Sequence, residues 1–153
     1  MRLDETALSR WGERVGETIT APAFIALAGP LGAGKSVLAR AIGRGAGVEG
    51  PMPSPSFNLL LRYPTGAGID VVHLDLYRLE TPDDLWELGW FHLGEEPEVV
   101  LVEWPERAEG HMPPDYWVVE LSVPDAHSAL RDVEVRRVGF PPELAGFPMS
   151  ISA

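Results

Sequence analysis

The chain of 153 residues contains no cysteine, which excludes disulfide bonds, thiolate catalysis and zinc sites built on cysteine. Basic residues are scarce: Lys and Arg total 12 against 23 Asp and Glu, a net charge of −11. This balance argues against a broad nucleic-acid-binding face or attachment to an anionic membrane, because both need clustered basic side chains. No apolar run is long enough for a membrane span or a secretory signal, so we expect a soluble cytoplasmic protein.

Lysine and amide side chains are almost missing as well. Lys35 is the only lysine, Asn58 is the only asparagine, and there is no glutamine. This depletion is typical both of thermophilic proteins and of genomes rich in G and C, and composition does not separate the two. A lysine kept at one position indicates that this side chain is hard to replace.

The apolar pattern predicts a single domain over residues 1–153, with an irregular tail over 139–153. Helical spacing predicts helices over 4–20, 37–43 and 85–88. Short apolar or alternating runs predict strands over 23–28, 56–63, 69–77, 99–102, 116–123 and 133–138, with a hairpin turn at 64–68. This order predicts an α/β fold in which a mixed, mostly parallel central sheet is flanked by helices. We expect the last two strands toward an edge.

The segment from Gly29 to Ser36 matches the phosphate-loop pattern G-x-x-x-x-G-K-[S/T] at every required position. Backbone N–H groups of such a loop curl around the β-phosphate, and the following helix adds its positive dipole end. The lysine bridges the β- and γ-phosphates and the serine hydroxyl can bind Mg²⁺. A glycine-rich turn with a chance lysine is the other interpretation, which the flanking strand and helix disfavour. The motif in this setting predicts a P-loop NTPase-like domain. The candidate phosphate-binding residues are Pro30, Leu31, Gly32, Ala33, Gly34, Lys35, Ser36 and Val37.

The sequence also limits which nucleotide base this site would bind. The common GTPases read guanine with an Asn-Lys-x-Asp element, which this chain cannot contain because Asn58 is followed by Leu59. A glutamine that orients water, as in Ras-like enzymes, is missing too. These absences favour an adenine nucleotide.

Two acidic residues at strand ends are candidates for holding a metal and for orienting the attacking oxygen. Glu103 directly follows the apolar run at 99–102, at the carboxyl end of a strand, where ligands of open α/β sheets bind. Asp75 alternates with His73 and Tyr77 on one face of its strand. Plainer interpretations remain open, a solvated strand end for Glu103 and an exposed polar face for Asp75.

Six segments in order through most of the chain carry a family resemblance: Glu5-Thr6, the loop from Gly29 to Ser36, Ser54-Pro-Ser-Phe57, His73-Leu-Asp-Leu-Tyr-Arg-Leu79, Glu87-Leu-Gly89 and Val102-Glu-Trp-Pro-Glu106. Together they resemble the TsaE family (also called YjeE), small P-loop ATPases of bacterial tRNA threonylcarbamoyladenosine synthesis. The His-x-Asp-Leu-Tyr-Arg and Glu-Trp-Pro elements are unusual among P-loop proteins, so the joint match is specific.

The resemblance implies an ATPase that binds ATP or ADP with Mg²⁺ and supports turnover of two partner proteins, TsaD and TsaB. TsaD transfers the threonylcarbamoyl group to adenosine 37 of tRNA, so tRNA contacts the ATPase only through that complex. By position, Ser36 and Glu103 would hold Mg²⁺, and Asp75 would be catalytic, either orienting water or helping the metal. The resemblance also implies nucleotide contacts by Thr6 near the base, by Ser56 at the γ-phosphate and by Trp104.

Two positions depart from the family pattern. Ser56 replaces a threonine, which keeps the hydroxyl and loses a methyl group. Val37 stands where the family commonly repeats threonine, and loss of a hydrogen bond there would weaken binding of the α-phosphate.

Other functions remain open on the sequence alone. A small-molecule or nucleotide kinase would need an acceptor pocket and an arginine-rich lid, and no such insertion is visible. A nucleotide-gated binding module would not need Asp75 or Glu103 at all. The aromatic residues Trp90 and Phe91, beside Gly89, form either core or an exposed docking surface, and we favour core packing.

Overall fold

A computed structural model describes residues 1–53, 55, 59–126 and 128–147. Within these ranges the helices are α1 (Glu5–Thr18), α2 (Lys35–Ala46) and the one-turn α3 (Asp84–Glu87). The strands are β1 (Arg2–Asp4), β2 (Ala23–Ala28), β3 (Leu60–Pro64), β4 (Asp70–Asp75), β5 (Glu98–Glu103), β6 (Tyr116–Ser122) and β7 (Leu130–Val138). Two 3₁₀ turns, Trp90–His92 and Pro105–Ala108, follow α3 and β5. Across the described ranges, no helix combines the length and apolar character needed to span a membrane.

These strands join one sheet in the order β1, β7, β6, β2, β5, β4, β3. The four central strands β6, β2, β5 and β4 run parallel, whereas β3 and β7 are antiparallel to their neighbours. The prediction of a mixed, mostly parallel sheet flanked by helices is therefore confirmed. Strand β1, which forms the edge beyond β7, was not predicted from the sequence. Three residues are too few to show a periodic pattern, and their partners lie at 130–132.

Apolar side chains form one core on each face of the sheet. Under α1 and α2 the core includes Ile25 and Leu101, and the opposite core includes Phe24, Val100 and the side chains around α3. All six residues of β5 are buried, the two terminal glutamates included, and the four apolar residues between them fit a strand covered on both faces. Because β4 lies between β5 and β3, it is an interior strand, and His73 on it is fully buried. The interpretation of β4 as an exposed strand is wrong.

Helices α1 and α2 pack unusually close together. A Cβ at Gly16 would lie 2.0 Å from the carbonyl oxygen of Ile42, and one at Gly45 would lie 1.9 Å from that of Glu13. Only glycine permits this approach, which brings the first turn of α1 next to the loop that precedes α2.

Element ends differ from the predictions by a few residues. Helix α1 ends at Thr18 rather than at 20, because the backbone is extended at Ile19. Strand β4 ends at Asp75, so Tyr77 lies beyond it and is exposed. The predicted hairpin joins β3 to β4, whereas residues 56–58 of the predicted strand lie outside the described residues.

Residues 139–147 form no helix or strand, and much of this segment packs on the protein. The indole N–H groups of Trp11 and Trp117 donate to the carbonyl oxygens of Ala145 and Pro142, at 2.8 and 2.6 Å. Phe147 stacks on Trp11 with ring centroids 4.5 Å apart. The described part of the tail is therefore part of the folded structure.

Ending the chain at Phe140 is expected to lower the free energy of unfolding by about 2–4 kcal/mol, because two hydrogen bonds and several apolar contacts disappear. Urea unfolding followed by tryptophan fluorescence measures the loss. A chain ending at Phe147 keeps all of these contacts and is the control. Equal stability of the two shortened chains would contradict this role of the tail.

Candidate functional site

The loop from Gly29 to Ser36 connects β2 to α2, as the sequence predicts. Gly29 has a φ of 142°, and a Cβ there would lie 2.4 Å from the carbonyl oxygen of Leu121. Gly34 has a φ of 104° directly before α2. Side chains rarely adopt either conformation, so the path of the loop requires both glycines. It brings the N-terminus of α2, with its free N–H groups and positive dipole end, to an open cavity.

Lys35 folds back onto its own loop. The side chain is only 5% exposed, and its Nζ donates hydrogen bonds to the carbonyl oxygens of Gly29 and Pro30, the latter at 2.9 Å. The ammonium lies 4.1 Å from the ring centroid of Trp104, within cation–π range. Burial lowers the pKa of Lys35, and the charge of Glu103 partly opposes this effect. The ammonium is thus held at the loop by the backbone of the loop itself.

Glu103, at the end of β5, contacts side chains on two other elements, α2 and β4. Its carboxylate oxygens lie 3.1 and 3.2 Å from Oγ of Ser36, on α2. One of them also lies 2.6 Å from Nε2 of the buried His73, on β4. We assign the imidazole proton to Nε2, because a carboxylate accepts there and Nδ1 has no hydrogen-bond partner among the described residues. Glu103 is 3% exposed, so it is not an ordinary solvated strand end.

Asp75 lies at the end of β4, directly opposite Glu103 in the parallel register. The side chain is partly buried and accepts the N–H of Tyr77 at 3.0 Å. Burial raises the pKa of Asp75; the Tyr77 N–H opposes this rise, and the charge of Glu103 adds to it. This carboxylate is therefore less stable as an anion than a solvated one.

Asp75→Asn is expected to slow any hydrolysis at the site by about 100-fold or more and to raise the unfolding midpoint. At a pH above the raised pKa of Asp75, the ionised carboxylate lowers the stability of the folded state by its full amount. This loss of stability becomes smaller as the pH falls toward the ordinary pKa of 3.8. The stability gain should therefore be largest near neutral pH and shrink on acidification. Thermal unfolding without nucleotide between pH 7 and pH 4 measures this; a gain that grows on acidification would contradict it.

A cavity of about 470 Å³ brings most of the predicted residues together. Its lining includes Leu31, Gly32, Gly34, Lys35, Ser36, Val37, Asp75, Glu103 and Trp104. A neighbouring cavity of about 380 Å³ shares Gly32, Gly34 and Val37 and adds Ala33 and the exposed Thr6. Pro30 contributes its carbonyl oxygen to Lys35. Ser56 lies outside the described residues.

Arg131 is a site residue that the sequence does not predict. Its guanidinium, on β7, donates to the carbonyl oxygens of Gly32 and Ala33, both at 3.2 Å. The same group donates to the carbonyl oxygens of Ser128 and Leu130. Arg131 thus ties the phosphate loop to a strand about a hundred residues away, and no local pattern around it signals this contact.

The site combines the Lys35 ammonium, the N-terminus of α2, the Ser36 hydroxyl and the Glu103 carboxylate from the neighbouring strand β5. These groups suit a phosphate chain and a hard cation. Together with the parallel strand order, they define a P-loop NTPase-type fold. The sequence model of one family, described as threonylcarbamoyl adenosine biosynthesis protein TsaE, matches residues 3–132. The chain belongs to the TsaE family.

Individual relatives agree. The tRNA threonylcarbamoyladenosine biosynthesis protein TsaE of Nostoc is 37% identical over 133 residues, which cover 85% of this chain and 81% of the relative. The protein of the same name from Synechocystis is 38% identical over 111 residues and covers 68% of each chain. The crystal structure of YdiB from Bacillus subtilis shares the fold, with a TM-score of 0.72, 20% identity and coverage of 91% and 84%.

Proposed function

We propose that residues 1–153 act in the cytoplasm as a single Mg²⁺-dependent ATPase domain required for threonylcarbamoyladenosine at position 37 of tRNA. The pathway follows from membership of the TsaE family. The contact between Ser36 Oγ and the Glu103 carboxylate, beside the Lys35 ammonium, carries the chemical part of the proposal. Hydroxyl and carboxylate oxygens are the ligands Mg²⁺ prefers, so the residues present fit this ion.

The phosphate chain would bind at the N-terminus of α2. There the loop N–H groups would donate hydrogen bonds to the β-phosphate oxygens, and Lys35 would exchange the carbonyl oxygen of Pro30 for phosphate oxygens. This exchange is favourable because a charged acceptor binds an ammonium more strongly than a neutral one. Mg²⁺ held by Ser36 and Glu103 would supply positive charge to the transferring phosphoryl group.

Asp75 and the smaller cavity also have roles in the proposed nucleotide site. The Asp75 carboxylate, across from Glu103, would orient the attacking water or support the metal shell. The smaller cavity, with Thr6 and Val37, would take the base side of ATP or ADP. The lack of an Asn-Lys-x-Asp element supports adenine over guanine.

We propose TsaD and TsaB as the partners, with tRNA bound by the complex and not directly by this chain. The net charge of −11 supports this, because a polyanion is repelled by an acidic surface and attracted by basic partner surfaces.

The test is ATP hydrolysis by the chain alone, with candidate small acceptors, and with TsaB plus TsaD. Stimulation by TsaB and TsaD, lost in Lys35→Ala and in Glu103→Ala, is the expected result. Transfer of phosphate to a small acceptor would instead identify a kinase. Tight ATP binding without hydrolysis, even with both partners present, would identify a binding module.

A further inference from the structure

Two exposed aromatic side chains, one on α3 and one in the turn that follows it, contact each other with their rings tilted. Trp86 is 66% exposed and Phe91 is 39% exposed, and their ring centroids lie 4.2 Å apart. The sequence predicts core packing for both Trp90 and Phe91. Trp90 is indeed in the core, but the prediction is wrong for Phe91. Gly89, with a φ of 74°, separates α3 from the next turn, and Trp86 rather than Trp90 pairs with Phe91.

The pair rests on a well-packed support. The indole N–H of Trp90 donates to the carbonyl oxygen of His111 at 2.8 Å, and its ring meets Phe24 edge-on at 5.4 Å. The ring of His111 lies at 6.0 Å from that of Phe91, nearly perpendicular to it. Phe91 directly follows the anchored Trp90 and contacts His111, so a partner would have little of this side chain to order.

The Trp86–Phe91 pair lies outside the nucleotide cavity, but the chain connects it to the strands that carry Asp75 and Glu103. Neither Trp86 nor Phe91 lines the cavity around Lys35. However, the segment that carries them leaves β4 just after Asp75, and the segment that carries His111 leaves β5 just after Glu103. A partner bound to the rings would touch both chain segments that emerge from the candidate catalytic strands.

The charges around the rings limit what can bind them. Asp83 lies three residues before Trp86 and Glu87 four residues before Phe91, and both acidic side chains are exposed. Anionic lipid and nucleic acid are repelled by such a surface, and a second copy would set acid against acid. Exposed tryptophan and phenylalanine at one place are typical of the central contacts of a protein interface.

We propose that the Trp86–Phe91 pair is a docking surface for a partner protein that offers an apolar pocket flanked by lysine or arginine. The inference rests on the proposed function, in which the TsaB–TsaD complex is that partner. The rings fill the pocket, and Asp83 and Glu87 pair with its basic rim.

Binding of the full chain to the purified TsaB–TsaD complex, measured by isothermal titration calorimetry, tests this. Trp86→Ala and Phe91→Ala should each weaken binding by about 30-fold or more, as interface anchors do. Phe140→Ala removes an aromatic ring that is 86% exposed elsewhere and should leave binding unchanged. Glu87→Lys should weaken binding most at low salt, where charge pairs act over longer distances. Unchanged ATP affinity in all four variants verifies that the fold is intact.

The outcomes separate this inference from the proposed function. If the wild-type chain binds TsaB–TsaD and both ring variants bind equally well, the docking surface is wrong and the proposed partners stand. If the wild-type chain does not bind the complex, both ideas fail together. Self-association or binding to phosphatidylserine vesicles that disappears in Trp86→Ala would assign the rings to another occupant and overturn the inference.

Discussion

Replacing Lys35 with methionine is expected to weaken ATP binding by at least about 100-fold and to remove hydrolysis. The ammonium is the only lysine charge in the chain, and it lies at the loop carbonyls of Gly29 and Pro30, where phosphate oxygens would bind. Losing one partner of a desolvated charge pair costs about 2–5 kcal/mol, which corresponds to this change in affinity. Titration with a fluorescent ATP analogue measures it.

The same variant should fold at least as well as the wild type. Burial lowers the pKa of Lys35, so the folded state holds the ammonium less easily than the unfolded chain does. The buried ammonium lowers the stability of the folded state by its full amount below the lowered pKa, and by less as the pH rises through that pKa. Methionine in its place should therefore be neutral or stabilising at pH 7. Arg44→Met, near the exposed end of the same helix, is the matched control. An ATP affinity of Lys35→Met within threefold of the control's would contradict the assigned role.

Glu103→Gln is expected to remove the effect of Mg²⁺ on nucleotide binding and to slow hydrolysis by at least about 100-fold. Glutamine keeps the shape of the side chain and an oxygen that accepts from His73 and Ser36, so the buried network survives. What it loses is the negative charge, on which a carboxylate ligand of Mg²⁺ depends.

Nucleotide affinity is measured once with Mg²⁺ and once with EDTA, which distinguishes a loss of metal binding from a loss of folding. The wild-type chain should bind more tightly with Mg²⁺, and Glu103→Gln should bind equally under both conditions. Glu106→Gln changes an exposed carboxylate three residues further on and should behave as the wild type does. A Mg²⁺ effect of wild-type size in Glu103→Gln would rule out this carboxylate as a ligand.

Much of the candidate site was predictable because its parts are local. The loop from Gly29 to Ser36 is one continuous pattern, and an apolar strand followed at once by Glu103 indicates the carboxyl edge of a sheet. Asp75 was predictable for the same reason, since parallel neighbours end at the same edge. The strand alternation also put His73 and Asp75 on the same face.

What could not be predicted depends on distant parts of the chain. The burial of His73 depends on the core under α1 and α2, which covers its face of the sheet, and on β3, which makes β4 an interior strand. One strand does not reveal these neighbours. The contact of Arg131 with the loop requires β7 to pair between β1 and β6. Trp86 and Trp90 are four residues apart, a spacing that predicts one helix face, but α3 ends at Glu87 and the two indoles separate.

The bonds from Arg131 to the carbonyl oxygens of Gly32 and Ala33 span 99 and 98 residues. Contacts between such distant residues form late, because closing a long loop costs chain entropy before the contact forms. The phosphate loop is synthesised early but lacks this anchor until the last strand has joined the sheet. A partly folded chain is therefore expected to hold nucleotide poorly, and nucleotide added during refolding should favour the completed sheet over its intermediates.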